Sequence, residues 1–288
     1  MNLQMIIGLA LKGSIMLTLF GFGLQTTREE LLYLVRRPRL LVTSLASMFV
    51  AMPVFVLLMT SVVSFIPEVT VALVVLSISP VPPLLPKKIT KSGGLSEYGL
   101  GLMVTAAAFS VAYIPLATYL IGKYIHRPFA MTPGAVAELI VISVLIPLAL
   151  GMILRGFKPD LATRIADPLI RVAGIVLVIG VLCILIVAFP KIWALVGNGT
   201  IIAFIVFGIV GLIVGHILGG PSRDERVTLA LCTACRHPGL ALAIATANVP
   251  EQPNVLGAIL LYLVVNALLT IPYVMWQRKK AKELAVPG

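Results

Sequence analysis

Acidic side chains are scarce in this chain: 288 residues carry 11 Asp and Glu, against 22 Lys and Arg. Charged residues make up 11% and aromatics 7% of the total, and there are three histidines and three cysteines. Each shortage excludes something. A soluble domain needs about a quarter of its residues charged to cover its surface, so this composition is not one. There is no carboxylate pair suited to acid–base work, no glycine-rich phosphate loop after a strand and no nucleophile elbow, and the loops are too short to carry a catalytic domain. No enzyme class is supported. Cys183, Cys232 and Cys235 all fall in apolar runs and imply no disulfide framework. With no separate polar domain to present a basic patch to nucleic acid, the net charge of +11 is read as membrane topology.

What is present is apolar: 59% hydrophobic residues and a mean hydropathy of +1.08. An all-α membrane protein follows, a single polytopic domain over 1–288 with room for about nine or ten spans of roughly 20 residues. Nine segments can be drawn: A 2–24, B 40–65, C 67–86, D 99–122, E 133–154, F 168–189, G 200–218, H 224–249 and I 254–276. Prolines mark many of the cuts: Pro38 before B, Pro67 opening C, Pro133 opening E, Pro168 opening F, Pro221 before H and Pro253 before I. The amino-terminal run carries Lys12 inside it and has no small-residue cleavage pattern, so it reads as a retained helix.

Basic residues alternate across these segments. One side collects Arg28, Arg36, Arg37, Arg39, Lys87, Lys88, Lys91, Arg155, Lys158, Arg164, Arg171, Arg223, Arg226, Arg278, Lys279, Lys280 and Lys282; the other has Lys123, Arg127 and Lys191. The asymmetry predicts nine crossings of a cell (inner) membrane, with the amino terminus outside and the carboxyl terminus cytoplasmic. Glu97 and Glu138 are expected at the two membrane faces.

Two segments are broken. C contains Pro80, Pro82, Pro83 and Pro86, which cannot all lie in one regular helix, and H is interrupted at Arg236, His237, Pro238 and Gly239. From Arg226 to Arg236 is about 15 Å of helix, which sets Arg236 near the midplane, where an arginine costs roughly 3 kcal/mol and counts as a functional candidate. Each broken segment lies between two unbroken ones, and the two run in opposite directions. That pattern predicts two inverted repeats, 1–122 and 123–288, with a binding site where the two discontinuous helices cross.

The residues that carry this pattern resemble the bile acid:sodium symporter family. They are FGFGL (Phe20–Leu24), RRPR (Arg36–Arg39), Met52–Pro53, Ser79–Pro80, LGLMVT (Leu100–Thr105), IPLALGMIL (Ile146–Leu154), DERVTLAL (Asp224–Leu231) and GLALAIA (Gly239–Ala245). The resemblance implies two inverted five-helix repeats, the first lacking its first helix. It also implies a core of B, C, D, G, H and I rocking against a panel of A, E and F, and an organic anion bound near the crossing.

The departures from that family bear on its sodium sites. Cys232 stands at the family's glutamate, Arg236 at its glutamine, His237 at its asparagine and Pro238 at the following serine. Leu85 and Pro86 replace a serine–asparagine pair, Gly101 a serine and Met48 a glutamine, while Thr105 is kept. A site without its carboxylate and most of its oxygens, and holding a guanidinium, should not bind sodium well. Arg236 becomes either an anion clamp or a fixed surrogate for the ion, facing helix carbonyl ends. The substrate would be a small organic anion held by Arg236, His237, Thr105, Ser79 and Lys87, with half-helix amino ends at about Lys87 and Gly239. Without sodium the carrier would be a uniporter, an exchanger or a proton-coupled system with His237 titrating.

Bland readings stand beside these. Arg236 fits a structural tie between loose carbonyls, Lys87, Lys88 and Lys91 fit cytoplasmic anchors, and His237 fits a backbone cap. Cys232 and Cys235 at CxxC spacing fit buried thiols better than a metal site, and no cofactor or metal is expected. Two alternatives remain: a metalloid or oxyanion exporter of the same superfamily, and a non-transporting membrane sensor with this fold.

Overall fold

The computed structural model describes residues 3–124, 133–249, 251–252 and 254–285; Arg127 and Pro253 lie outside them. Every regular element among these residues is helical. In order they are α1 (Leu3–Gln25), α2 (Arg28–Leu32), α3 (Pro38–Ala46), a π turn (Ser47–Ala51), α4 (Met52–Val62), α5 (Pro67–Ser77), α6 (Leu85–Lys91), α7 (Ser96–Tyr124) and α8 (Pro133–Ile140). A second π turn (Val141–Leu145) leads into α9 (Ile146–Phe157), α10 (Pro159–Val187), α11 (Phe189–Trp193), α12 (Thr200–Leu218), α13 (Arg223–Ala234), α14 (Pro238–Asn248) and α15 (Val255–Ala285).

Among the described residues, eight helical stretches are long and apolar enough to cross a membrane, and α5 is a shorter apolar helix. They are multi-pass membrane helices, since a bilayer leaves backbone groups no water and only helices of this length satisfy them internally. The eight coincide with segments A, B, D, E, F, G, H and I, and segment C is divided between α5 and α6.

Segment F begins earlier than expected. Pro168 does not open it: α10 starts at Pro159 and carries Pro168 in its interior, so only Lys158 separates α9 from α10. A proline inside a helix withholds a donor from the carbonyl four residues back, here Arg164. Arg164 is exposed at the basic end of the helix, where water can take that carbonyl, and the helix continues. The breaks are shorter than expected as well. Pro86 and Pro238, with Gly239, lie in the first turns of α6 and α14, where a missing N–H costs nothing. The interrupted stretches are therefore 78–84 and 235–237, and the first amino end falls at Leu85, two residues before Lys87.

The helices share one hydrophobic core, within which two sets of neighbours can be followed. α1 lies against α9 and α10, and a Cβ built on Gly23 would stand 2.2 Å from the Leu148 carbonyl oxygen, so the α1–α9 approach is backbone to backbone. In the second group α12 packs on α13 and α15, and α5 on α14, α15 and α4. The α13–α14 window is the most deeply enclosed of the spans, 72% buried. A charge placed there is surrounded by protein, not lipid.

Candidate functional site

Three prolines decide which backbone oxygens lack a donor at the centre of the molecule. Pro53 has no N–H for the Phe49 carbonyl four residues back, nor for Met48 five residues back in the wider register of the π turn. Pro83 likewise leaves Ser79, and Pro238 leaves Ala234, without the partner that a continuous helix would supply. A buried carbonyl without a donor costs about 1–3 kcal/mol, and in a membrane no water can relieve it.

Side chains supply each missing donor. The Arg236 guanidinium donates to the Ser79 carbonyl at 3.0 Å and to the Met48 carbonyl at 2.9 Å. Tyr113 Oη donates to the Phe49 carbonyl at 2.5 Å. Tyr262 Oη donates to the Ala234 carbonyl at 3.0 Å and accepts from the Arg236 backbone N–H at 2.9 Å. The breaks themselves are joined by the His237 N–H, which donates to the Pro80 carbonyl at 3.0 Å. The two discontinuous helices thus meet at their interruptions, and Arg236, 1% exposed, is the largest fully buried side chain among the described residues. The guanidinium also sits where α5 and α13 end, so it compensates the partial negative charge of two helix carboxyl termini.

Beside this knot lies a cavity of about 450 Å³. The breaks contribute Pro80, Val81, Pro83, His237, Gly239 and Leu240; α7 contributes Met103 and Ala107. Across from them stand Lys12, Ile15 and Met16 of α1, and Glu138 and Ser143 from α8 and the second π turn. Lys12 and Glu138 form no ion pair among the described residues. Gly239 brings a first-turn amide of α14, one of the donors with no acceptor inside its own helix.

Of the expected site residues, His237 lines the cavity and Arg236 forms the knot, while the side chains of Ser79, Thr105 and Lys87 reach neither. His237 lines the cavity while its Nδ1 accepts the Leu240 N–H at 3.2 Å, capping α14. Arg236 is turned away from the cavity into the knot, and its Nε has no partner among the described residues. Ser79 Oγ donates to Val75 O at 2.7 Å and Thr105 Oγ1 to Gly101 O at 2.7 Å, each within its own segment, and neither residue lines the cavity. Lys87 is exposed, its Nζ 3.5 Å from the Ile170 carbonyl of α10, and Lys88 donates to Thr270 Oγ1. Met48, Leu85 and Cys232 are buried at 0%, 3% and 0% exposure, and Gly101 is buried with them. Cys235, also buried, accepts from Asn266 Nδ2 at 3.4 Å, and neither it nor Cys232 reaches the cavity.

Comparison with family models gives a match to the Sodium Bile acid symporter family over residues 14–214. The chain belongs to that family. Its members are secondary transporters, so the chain is a multi-pass membrane protein of a transport family, with a small solute as substrate. No curated protein matches the chain. The matched stretch ends within α12, so Cys232, Arg236 and His237 lie beyond it. Among the described residues no three His, Cys, Asp or Glu side chains gather as a metal-binding group.

Sequence reasoning overlooked Lys12 and Glu138 as cavity residues. Lys12 is nine residues into an otherwise uncharged α1, which is the same signal of an intramembrane cation that picked out Arg236. Glu138, five residues after Pro133 in α8, lines the same cavity as Lys12.

Proposed function

We propose that this protein is a sodium-independent carrier of a small organic anion, working by alternating access. The observation that supports it best is the Arg236 guanidinium bridging the Ser79 and Met48 carbonyls at the meeting point of the two breaks. By the resemblance, Arg236 and Met48 stand at positions of the family's sodium sites, and a fixed cation there makes the ions unnecessary. Arg236 is thus the ion surrogate, and the anion is met by other groups: Lys12 from the panel, the Gly239 amide and the positive end of α14. The apolar remainder of the lining suits a carboxylate on a hydrocarbon body.

The reading carries nine crossings of the inner membrane, an external amino terminus, a cytoplasmic carboxyl terminus and inverted repeats over 1–122 and 123–288. Lys87 then bridges core and panel through the Ile170 carbonyl on the cytoplasmic side. Proton coupling through His237 is disfavoured by its bond to Leu240: the Nδ1 lone pair is in use, and a proton there would replace an acceptor with a second donor. Uniport or exchange fits best.

The test is thermal stabilisation of the purified protein by a panel of organic anions, in sodium and in choline buffer. A stabilising anion should shift the midpoint equally in both, and Lys12→Gln should abolish the shift. Stabilisation by sodium alone, or anion binding that requires it, would overturn sodium independence.

A further inference from the structure

A second built site lies at the basic end of the molecule, away from the cavity. Arg223 and Arg226 from α13, His216 from α12, and Trp276, Gln277 and Lys280 from α15 enclose a pocket of about 260 Å³. No carboxylate is among its lining residues, so three cations face one another without an internal counter-charge. The nearby acids are engaged elsewhere: Glu225 pairs with Arg37 at 2.7 Å, the Asp224 carboxylate accepts the Glu225 N–H at 3.1 Å, and Glu283 faces Lys279 at 3.9 Å. Arg223 spends one nitrogen on the Gln277 carbonyl and keeps a buried Nε without an acceptor among the described residues. Lys280 is held over the Trp276 ring, 4.5 Å from its centroid, which fixes one side of the pocket.

An apolar groove of about 340 Å³ continues from this pocket, sharing His216 and Trp276 with it. Its other walls are Ile209, Leu212, Ile213 and Ile217 of α12 and Tyr273 of α15. His216 and Tyr273 are tied together by a 3.0 Å hydrogen bond across its mouth. Ile209, Ile213 and Ile217 recur every four residues, so they form one stripe running along α12 for about 12 Å. Their exposures, 41%, 52% and 72%, mark a surface left uncovered among the described residues.

We infer that pocket and groove together bind one anionic phospholipid, its phosphate among Arg223, Arg226 and Lys280 and an acyl chain along the isoleucine stripe. A free phosphate would account for the cations and not for the groove. A neutral lipid would account for the groove and not for three uncompensated cations. Trp276 stands at the junction of charged and apolar parts, the depth at which tryptophan settles in a bilayer. Basic pockets between membrane helices at the positively charged side are suited to such headgroups. The site does not depend on the carrier reading, because it needs only that these helices sit in a membrane.

The experiment is native mass spectrometry of the full chain in detergent with phosphatidylglycerol, with phosphatidylcholine of the same chains, and with inorganic phosphate as competitor. Phosphatidylglycerol should remain bound at least about tenfold more tightly than phosphatidylcholine, and the double variant Arg226→Gln, Lys280→Gln should erase that preference. Both side chains are exposed, so the variant is expected to fold, and its unfolding midpoint checks this. Lys158→Gln with Arg164→Gln, exposed cations outside the pocket, should leave the preference intact. Ile213→Asn should weaken phosphatidylglycerol retention several-fold. Equal retention of the two lipids, or complete displacement by millimolar phosphate with Ile213→Asn indistinguishable from wild type, would overturn the assignment.

Discussion

The two breaks solve the same problem with different residues. The first, 78–84, is made by Pro80, Pro82 and Pro83 and holds no charge; its buried backbone oxygens at Ser79 and Pro80 accept from donors outside the break. The second, 235–237, needs a single proline just beyond it and supplies the donors, Arg236 and the His237 N–H, that the first break lacks. One break is an acceptor and the other a donor. A proline interruption in a membrane is tolerated where neighbouring groups satisfy the freed carbonyls, and here each break provides what the other needs.

The largest way to break this pairing is Arg236→Leu. It strands the Ser79 and Met48 carbonyls, each at about 1–3 kcal/mol, against partial relief from no longer burying a charge. The unfolding midpoint in detergent should fall by roughly 10 °C. Arg236→Lys should fall less, because one ammonium can reach one of the two oxygens well but lacks the fork to span both. A leucine variant as stable as wild type would show that the knot is incidental.

Next in size is Tyr262→Phe, which removes the donor to Ala234 and the acceptor for the Arg236 N–H together. The expected cost is about 1–3 kcal/mol by chemical or thermal unfolding. Sodium should not restore the loss, since the vacancy is one hydroxyl and not an oxygen cage.

Most of the fold was legible because periodicity and proline mark helices strongly. Segment G was drawn as 200–218, the bounds of α12. What misled was treating every proline as punctuation. Pro168 sits inside α10 because its orphaned carbonyl is at a wet end of the helix, whereas Pro83 and Pro238 orphan carbonyls at the centre and coincide with breaks. Pro115 in α7 and Pro272 in α15 are likewise carried inside continuous helices, so a proline alone does not mark a break. The knot was half visible. Arg236 stood out as a buried charge, but its acceptors are backbone atoms of Ser79 and Met48, which no side-chain pattern encodes. Tyr113 and Tyr262 were invisible for the related reason that only the folded structure brings them to carbonyls far away in sequence. Lys12 and Glu138 were visible as charges, but not that α1 and α8 turn them toward one cavity.

The comparison sharpens at Pro53, which acts as a third, milder interruption. Tyr113→Phe strands the Phe49 carbonyl and should cost about 1–2 kcal/mol. Pro53→Ala restores an N–H to the same helix, so Tyr113→Phe in that background should cost less. The coupling from the double-mutant cycle should be about 0.5–1.5 kcal/mol, and strict additivity would mean that proline and tyrosine are unrelated.

Thr105→Val should have the smallest effect, and its smallness is informative. Thr105 holds the position that would be a sodium ligand in the family, yet its hydroxyl donates to Gly101 O one turn back in α7, and the residue does not line the cavity. The Gly101 carbonyl is in a continuous helix and keeps its own backbone donor, so the hydroxyl is a second partner and not a needed one. Removing it should change stability by less than about 1 kcal/mol, and isosteric valine leaves no void. Anion-induced stabilisation should be unchanged in both sodium and choline. If instead Thr105→Val abolished the anion effect in sodium alone, an ion would be reaching this oxygen, and Arg236 could not be standing in for it.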